Sequence, residues 1–143
     1  MIDSVLSFLG LAVKAGKVEI GEEPVGAATR AKKARLVLLA QDAAPSSVRR
    51  AMGFAEYGNC LCLTLEADKD TLGRALGRTS CAMCAVTDIG FAATLSEKLA
   101  QGDARRYGAA ATAIRQKADK MAQRKAEKVR HEKNVKQGKK KSK

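Results

Sequence analysis

The stretch Arg35-Leu36-Val37-Leu38-Leu39-Ala40-Gln41 places five apolar residues in a row between two polar ones. Such a run is too short for a buried helix, and having no polar alternation it leaves no side for water. It reads as a central strand of a sheet that is covered on both faces, the arrangement of α/β folds.

Downstream, Asp42 through Pro45 turns the chain into a helix whose inner side is expected to carry Val48, Met52, Ala55 and Tyr57, with Asn59 ending it after Gly58. Cys60 to Leu65 forms the next strand, and Asp68 caps a short helix containing Leu72 and Leu76. Ser80 to Thr87 makes a fourth strand and Ile89 to Leu99 a further helix. Upstream, Val18 and Ile20 alternate with Lys17 and Glu19 in a short strand that stops at Gly21. A helix then begins near Pro24, with Glu22 and Glu23 at the positive end of its dipole. At the N-terminus Val5, Leu6, Phe8, Leu9, Ala12 and Val13 recur at helical spacing from Ser4 to Ala15, after Asp3 or Ser4 as cap and before Gly16 as stop. Helix and strand thus alternate, which predicts an α/β fold: a three-layer α-β-α sandwich around four strands.

The charge divides the chain in two. Met1 to Asp103 holds 12 Lys and Arg against 12 Asp and Glu, whereas Ala104 to Lys143 holds 15 against 3. Residues 1–102 are therefore expected to form one domain, and residues 103–143 a basic, flexible tail. Ala109 to Glu132 has high helix propensity, but with Ile114, Met121 and Val129 as its only sizeable apolar side chains it offers little to bury. On this reading, removal of everything after Asp103 leaves the fold intact. A cationic block beside a neutral domain is the footprint of a polyanion partner, because each neutralised phosphate releases condensed counterions. Aromatic residues make up only 3% and Trp is absent, which argues against an aromatic base-stacking platform.

The apolar run near the N-terminus is preceded by Asp3 and followed by Lys14 and Lys17. It lacks the basic start of a signal peptide and is too short to cross a bilayer. No membrane partner is expected, and the cytoplasm is the expected compartment, with Cys60, Cys62, Cys81 and Cys84 reduced there.

Few residues offer catalytic chemistry. The single histidine, His131, lies in the tail, so no Ser-His or Cys-His pair can be built in the domain. Asp42 and Asp88 each follow a strand, where they serve as a carboxylate pair or, more simply, as caps of the turns that follow. Gly10 to Lys17 departs from a phosphate-binding loop in its spacing, in Val18 where a hydroxyl would hold magnesium, and in the helix that precedes it. Cys60-x-Cys62 and Cys81-x-x-Cys84 supply four thiols, enough for zinc, yet both pairs fall in strand segments rather than knuckle turns, so they read as small apolar filler and no metal or other cofactor is expected. There remains a basic constellation, Lys14, Lys17, Arg30, Lys32, Lys33 and Arg35, expected together at one end of the sheet, with Gly16, Gly21 and Gly26 permitting close backbone approach.

Several segments in order carry a family likeness: Gly10-Leu11-Ala12, Ala15-Gly16-Lys17, Gly21-Glu22-Glu23, Lys33 through Pro45, and Leu72-Gly73 to Gly77-Arg78. Together they resemble the ribosomal L7Ae/L30e family, and within it the bacterial YlxQ-type members. The likeness covers about Ile2 to Leu99. It implies an α-β-α sandwich with a four-stranded mixed sheet that binds structured RNA, of kink-turn or ribosomal type, without catalysis and in association with the ribosome. The family's RNA contacts come from the loop entering the second helix, here Gly21, Glu22 and Glu23, and from the loop before the last strand, here Arg78, Thr79, Ser80, Cys81 and Ala82. Lys17, Arg30 and Lys33 are added as flanking phosphate contacts. Where archaeal members carry Asn-Glu this chain has Glu23-Pro24, and where a basic residue is common it has Ala27, with Arg30 one turn on as a substitute. Carboxylates at Glu22 or Glu23 can accept from guanine N–H groups, and equally can sit at a helix start for electrostatic reasons alone. The competing function is a protein-interaction module whose tail docks on an acidic or ribosomal partner; an RNase-sensitive set of partners separates the two.

Overall fold

The computed structural model describes the backbone from Ile2 to Lys141 and, within the last helix, side chains up to Lys133. Ten elements follow in order: α1 (Ile2–Lys14), β1 (Val18–Ile20), α2 (Glu22–Arg30), β2 (Leu36–Leu39), α3 (Pro45–Gly58), β3 (Leu61–Thr64), α4 (Lys69–Ala75), β4 (Met83–Val86), α5 (Ile89–Gly102) and α6 (Ala104–Lys141). The sheet order is β1-β4-β2-β3. β4 runs antiparallel to both neighbours, β1 and β2, while β2 and β3 are parallel, so the sheet is mixed as expected.

β2 and β4 are the central pair, and every residue of both is buried. Their side chains alternate between two cores, as the two-residue period of a strand requires. Leu36, Leu38, Cys84 and Val86 point into a core with Val5, Leu9, Leu72, Leu95 and Leu99 from α1, α4 and α5. Val37, Leu39, Met83 and Ala85 point the other way, against Val25 and Ala28 of α2 and Ala51 and Ala55 of α3. This is the three-layer sandwich that the five apolar residues predict.

Two expectations about packing are corrected. Met52 and Tyr57, expected on the inner side of α3, are 58% and 61% exposed. The inward stripe runs instead through Val48, Ala51, Ala55 and Gly58, whose small side chains let α3 lie close against α2.

The second correction concerns the segment expected to stand apart as a tail. Its first half packs on the domain: Tyr107, Ile114 and Ala118 belong to the same buried core as Leu9 and Leu38, and Ala111 is buried beside them. The Tyr107 hydroxyl donates to the Thr64 carbonyl, and Arg115 reaches Glu97 of α5 through two hydrogen bonds, at 2.5 and 3.2 Å. Ile114 is thus buried, while Val129 is 58% exposed. From Asp119 to Lys133 every residue except the half-buried Met121 is exposed. Ser142 and Lys143 of the expected tail lie outside the described residues, as do the side chains of residues 134–141.

No described helix is long and apolar enough to cross a membrane.

Candidate functional site

The candidate site is built where β1 ends and β4 begins. Antiparallel pairing sets Ile20 opposite Cys84, so the residues following β1 and those preceding β4 must meet at one end of the sheet. They do: the Gly21 N–H donates to the Met83 carbonyl at 3.1 Å. Gly21 caps α2 with φ +100°, a left-handed backbone that a side chain rarely tolerates. Because the C-termini of the parallel pair β2 and β3 lie at this end too, the loops after them join it. We call it the loop pole.

The loop from Arg78 to Ala82 is held from behind by α4. The Arg78 N–H donates to the Gly73 carbonyl at 2.7 Å, and the Cys81 N–H to the Lys69 carbonyl at 2.9 Å. Ser80 passes so close to α4 that a Cβ on Gly73 would lie 2.6 Å from the Ser80 Cα. This anchoring shortens β4 from the expected start at Ser80 to Met83. Arg78, Thr79 and Ser80 are exposed and Ala82 is half-buried. Cys81 turns inward, its thiol donating to the Met83 carbonyl at 3.0 Å. Burial raises its pKa, with backbone contacts to Met83 and Gly21 and the Arg78 charge acting in the other direction. The group is a neutral plug between the two loops rather than a thiolate nucleophile.

The two glutamates differ in their surroundings. Glu22 forms an ion pair with Arg50 of α3, which ties the start of α2 to its neighbour. Glu23 is exposed, and both glutamates line a groove of about 400 Å³ together with Gly26, Ala27, Arg30 and Phe54. Arg30 ends α2, but its guanidinium folds back to within 3.1 Å of where a Gly26 Cβ would stand. One groove therefore presents two carboxylates, that of Glu22 already paired with Arg50, together with a guanidinium and an aromatic edge. Sequence reasoning missed Arg50 and Phe54, which reach Glu22 and Gly26 only because α2 and α3 pack together. A helical stripe through Val48, Ala51 and Ala55 was the available signal.

Lys17 and Lys33 lie away from these loops, and of the six basic residues expected together at one end only Arg30 is turned out of the group, its guanidinium facing Gly26. The Lys17 carbonyl accepts from the Thr87 N–H, and the Arg35 N–H donates to the Val86 carbonyl, so Lys17 and the segment Lys32–Arg35 sit where β4 ends, at the opposite pole. The strands run between the two groups.

The acidic candidates act as caps, one of them differently from expectation. The Asp88 carboxylate accepts from the Phe91 N–H at 2.9 Å, at the start of α5. Asp42 caps not the turn that follows it but the start of α4, accepting from the Lys69 N–H at 2.8 Å. The cysteine pairs also separate. Cys60 and Cys62 pack against the α2–α3 core and Cys81 and Cys84 belong to the other, with Cys60 and Cys81 just outside their strands rather than within them. Burial pushes the Cys62 thiol up to about 11. Among the described residues no three metal-ligating side chains come together.

Comparison with known proteins agrees with this architecture. Residues 3–96 match the Ribosomal protein L7Ae/L30e/S12e/Gadd45 family. The RNA-binding protein YlxQ of Bacillus subtilis is 37% identical over 84 residues, which span 59% of this chain and 83% of that protein. A protein of unknown function from Bacillus halodurans C superposes with a TM-score of 0.61 at 29% identity, covering 65% of this chain and 93% of its own. The 15.5kD RNA binding protein of Giardia lamblia shares the fold at 18% identity, with a TM-score of 0.56 over 69% of this chain and 84% of that one. The match over residues 3–96 takes in both loops of the loop pole and the whole four-stranded sheet, and on it the chain belongs to the L7Ae/L30e/S12e/Gadd45 family.

Proposed function

We propose that this chain is a non-catalytic RNA-binding protein that recognises structured RNA, of kink-turn or ribosomal type, at its loop pole, in the cytoplasm and in association with the ribosome. The observation that carries the reading is the joining of the two loops: Gly21 is hydrogen-bonded to Met83, and the Cys81 thiol is packed between them. Two backbones locked together in this way form a rigid edge, and rigid edges suit recognition of RNA shape and of extruded bases.

The exposed residues divide the work. Glu23 accepts from guanine N–H groups, which phosphate contacts cannot discriminate, while Arg30 and Arg78 meet phosphates and fix the register. Glu22, already paired with Arg50, positions the helix start rather than reading a base. The lone His131 is exposed on α6, far along the chain from these loops, and supplies no base to them. The names of the Bacillus subtilis and Giardia lamblia relatives support RNA as the ligand.

Glu23→Lys tests the reading. Added positive charge raises binding to any RNA, whereas loss of the carboxylate lowers discrimination, so the two effects have opposite signs. Affinities for a kinked RNA and for an unkinked duplex, measured at two salt concentrations on the folded variant, are expected to converge by roughly tenfold, the value of one good base contact. An unchanged ratio makes Glu23 a helix-start residue only and removes it from the site.

A further inference from the structure

α6 begins at the loop pole and leaves the domain at the other one. Arg106 pairs with Glu66 just after β3, at 3.3 Å, while eleven residues later the Lys117 ammonium reaches the Asn59 carbonyl before β3, at 3.5 Å. Beyond Ala118 the exposed helix carries 6 Lys and Arg against 3 Asp and Glu between Asp119 and Lys133. At 1.5 Å per residue that stretch alone projects by about 22 Å.

The surface from which it departs is itself cationic. Lys117 and Arg35 line a groove of about 170 Å³ with Asn59 and Cys60 at its rim. Lys32, in a left-handed conformation at φ +60° after α2, donates to the Tyr57 carbonyl and sits 4.4 Å from the centre of the exposed Tyr57 ring. Tyr57 lies two residues before Asn59, which brings Lys32 beside the groove of Arg35 and Lys117, and all three charges oppose the rise that burial imposes on the half-buried Cys60 thiol. Exposed Lys14, Lys17 and Lys33 lie at the same end. The one acid that follows β4 there, Asp88, has its carboxylate engaged as the α5 cap.

We infer that this cationic pole, made of Lys32, Arg35 and Lys117 and extended by α6, is a second RNA-binding surface that grips the phosphate backbone of a duplex independently of the loop pole. The cations here, Lys14, Lys17, Lys32, Lys33, Arg35 and Lys117, outnumber the exposed carboxylates of Glu56, in the last turn of α3, and Asp119, an excess that suits phosphate, and the helix continues the positive track along a duplex. The two surfaces face away from each other across the length of the strands. One chain therefore joins two RNA segments rather than wrapping a single one.

The test uses the full chain and a 20-base-pair unkinked RNA duplex, with affinity followed by fluorescence anisotropy across a KCl series. The triple variant Lys32→Asn, Arg35→Gln, Lys117→Gln removes three charges while keeping a residue tolerant of the left-handed position at 32. It is expected to flatten the slope of log affinity against log salt by about 2 to 3, at roughly 0.9 for each phosphate left without its cation. Lys117→Gln alone, a single change at a half-buried position that keeps a polar side chain of similar length, is expected to flatten it by about 1 and guards against misfolding of the triple variant. Duplex binding with the parental slope in both variants overturns the assignment. Glu23→Lys leaves these slope changes in place, so failure at the loop pole and failure here are read separately.

Discussion

The two poles of the sheet are built by the same strands and yet differ in chemistry. At the loop pole the backbone is fixed by hydrogen bonds from Gly21, Arg78 and Cys81, and the exposed Glu23 and Arg30 stand in one groove. At the cationic pole Arg35 and Lys117 line one groove with Lys32 held against Tyr57 beside it, and the charge continues along a helix that is exposed from Asp119 to Lys133 but for the half-buried Met121. Fixed geometry with mixed charge suits discrimination; a flat excess of one sign suits grip. A member of this fold can thus separate selectivity from affinity in space, provided α6 is both a part of the core and a carrier of charge.

Cutting the chain at two places breaks or confirms that double role, with the largest effect expected. Truncation after Asp103 removes Tyr107, Ala111, Ile114 and Ala118 from the core and should unfold the domain or nearly so. Ile114→Ala alone is expected to cost about 2–4 kcal/mol in urea denaturation. Truncation after Asp119 removes 11 Lys and Arg against 2 Glu, and should leave stability nearly unchanged while flattening the salt dependence of duplex binding. Equal stability of the two truncated chains would show that α6 adds charge and nothing else.

That α6 belongs to the fold is the feature least accessible from sequence, and the reason is physical. The buried stripe Tyr107, Ala111, Ile114, Ala118 has helical spacing, but half of it is alanine, which counts for little when only bulky side chains are weighed. The same weighting puts Met52 and Tyr57 on the wrong side of α3, where Ala51, Ala55 and Gly58 make the contact. Where burial is dense, as in Leu36 to Leu39, the pattern is unambiguous and the strand lies where it is expected. The loop pole is accessible only through the family likeness, since nothing local to Gly21 announces its bond to Met83. Lys17 and Lys33 group with it in sequence because they neighbour its elements in the chain, whereas a strand or helix carries its two ends to opposite poles.

The loop pole can be loosened without touching any residue that would meet RNA. A Cβ on Gly73 would stand 2.6, 2.7 and 2.9 Å from the Ser80 backbone Cα, N and C atoms, so Gly73→Ala forces the loop outward rather than displacing a flexible side chain. Overpacking of this kind costs roughly 1–3 kcal/mol. The expected outcome is a modest loss of stability together with weaker discrimination between kinked and unkinked RNA, while the salt slope for duplex binding stays at its parental value. A variant that loses both properties equally would mean that the poles are not separable.

The smallest effect tests how α6 is pinned between the poles. Arg115 holds Glu97 through two hydrogen bonds, and this partner pulls the Glu97 carboxylate below its usual pKa, against a small opposing effect of burial. The two side chains are 40% and 41% exposed, so solvent screens the pair, and Glu97→Gln is expected to change the folding equilibrium only about twofold. The pH dependence follows from the sign of the shift. A carboxylate with a depressed folded pKa contributes stability that is present above its unfolded value and is lost as pH falls through the folded one. The difference in stability between parent and Glu97→Gln should therefore be constant near neutrality and vanish in acid, and it should shrink in high salt at any pH. If the difference instead persists at low pH, the side chain at 97 supports α6 by packing rather than by charge. The attachment of the basic helix would then be independent of the ionic strength that governs its grip on RNA.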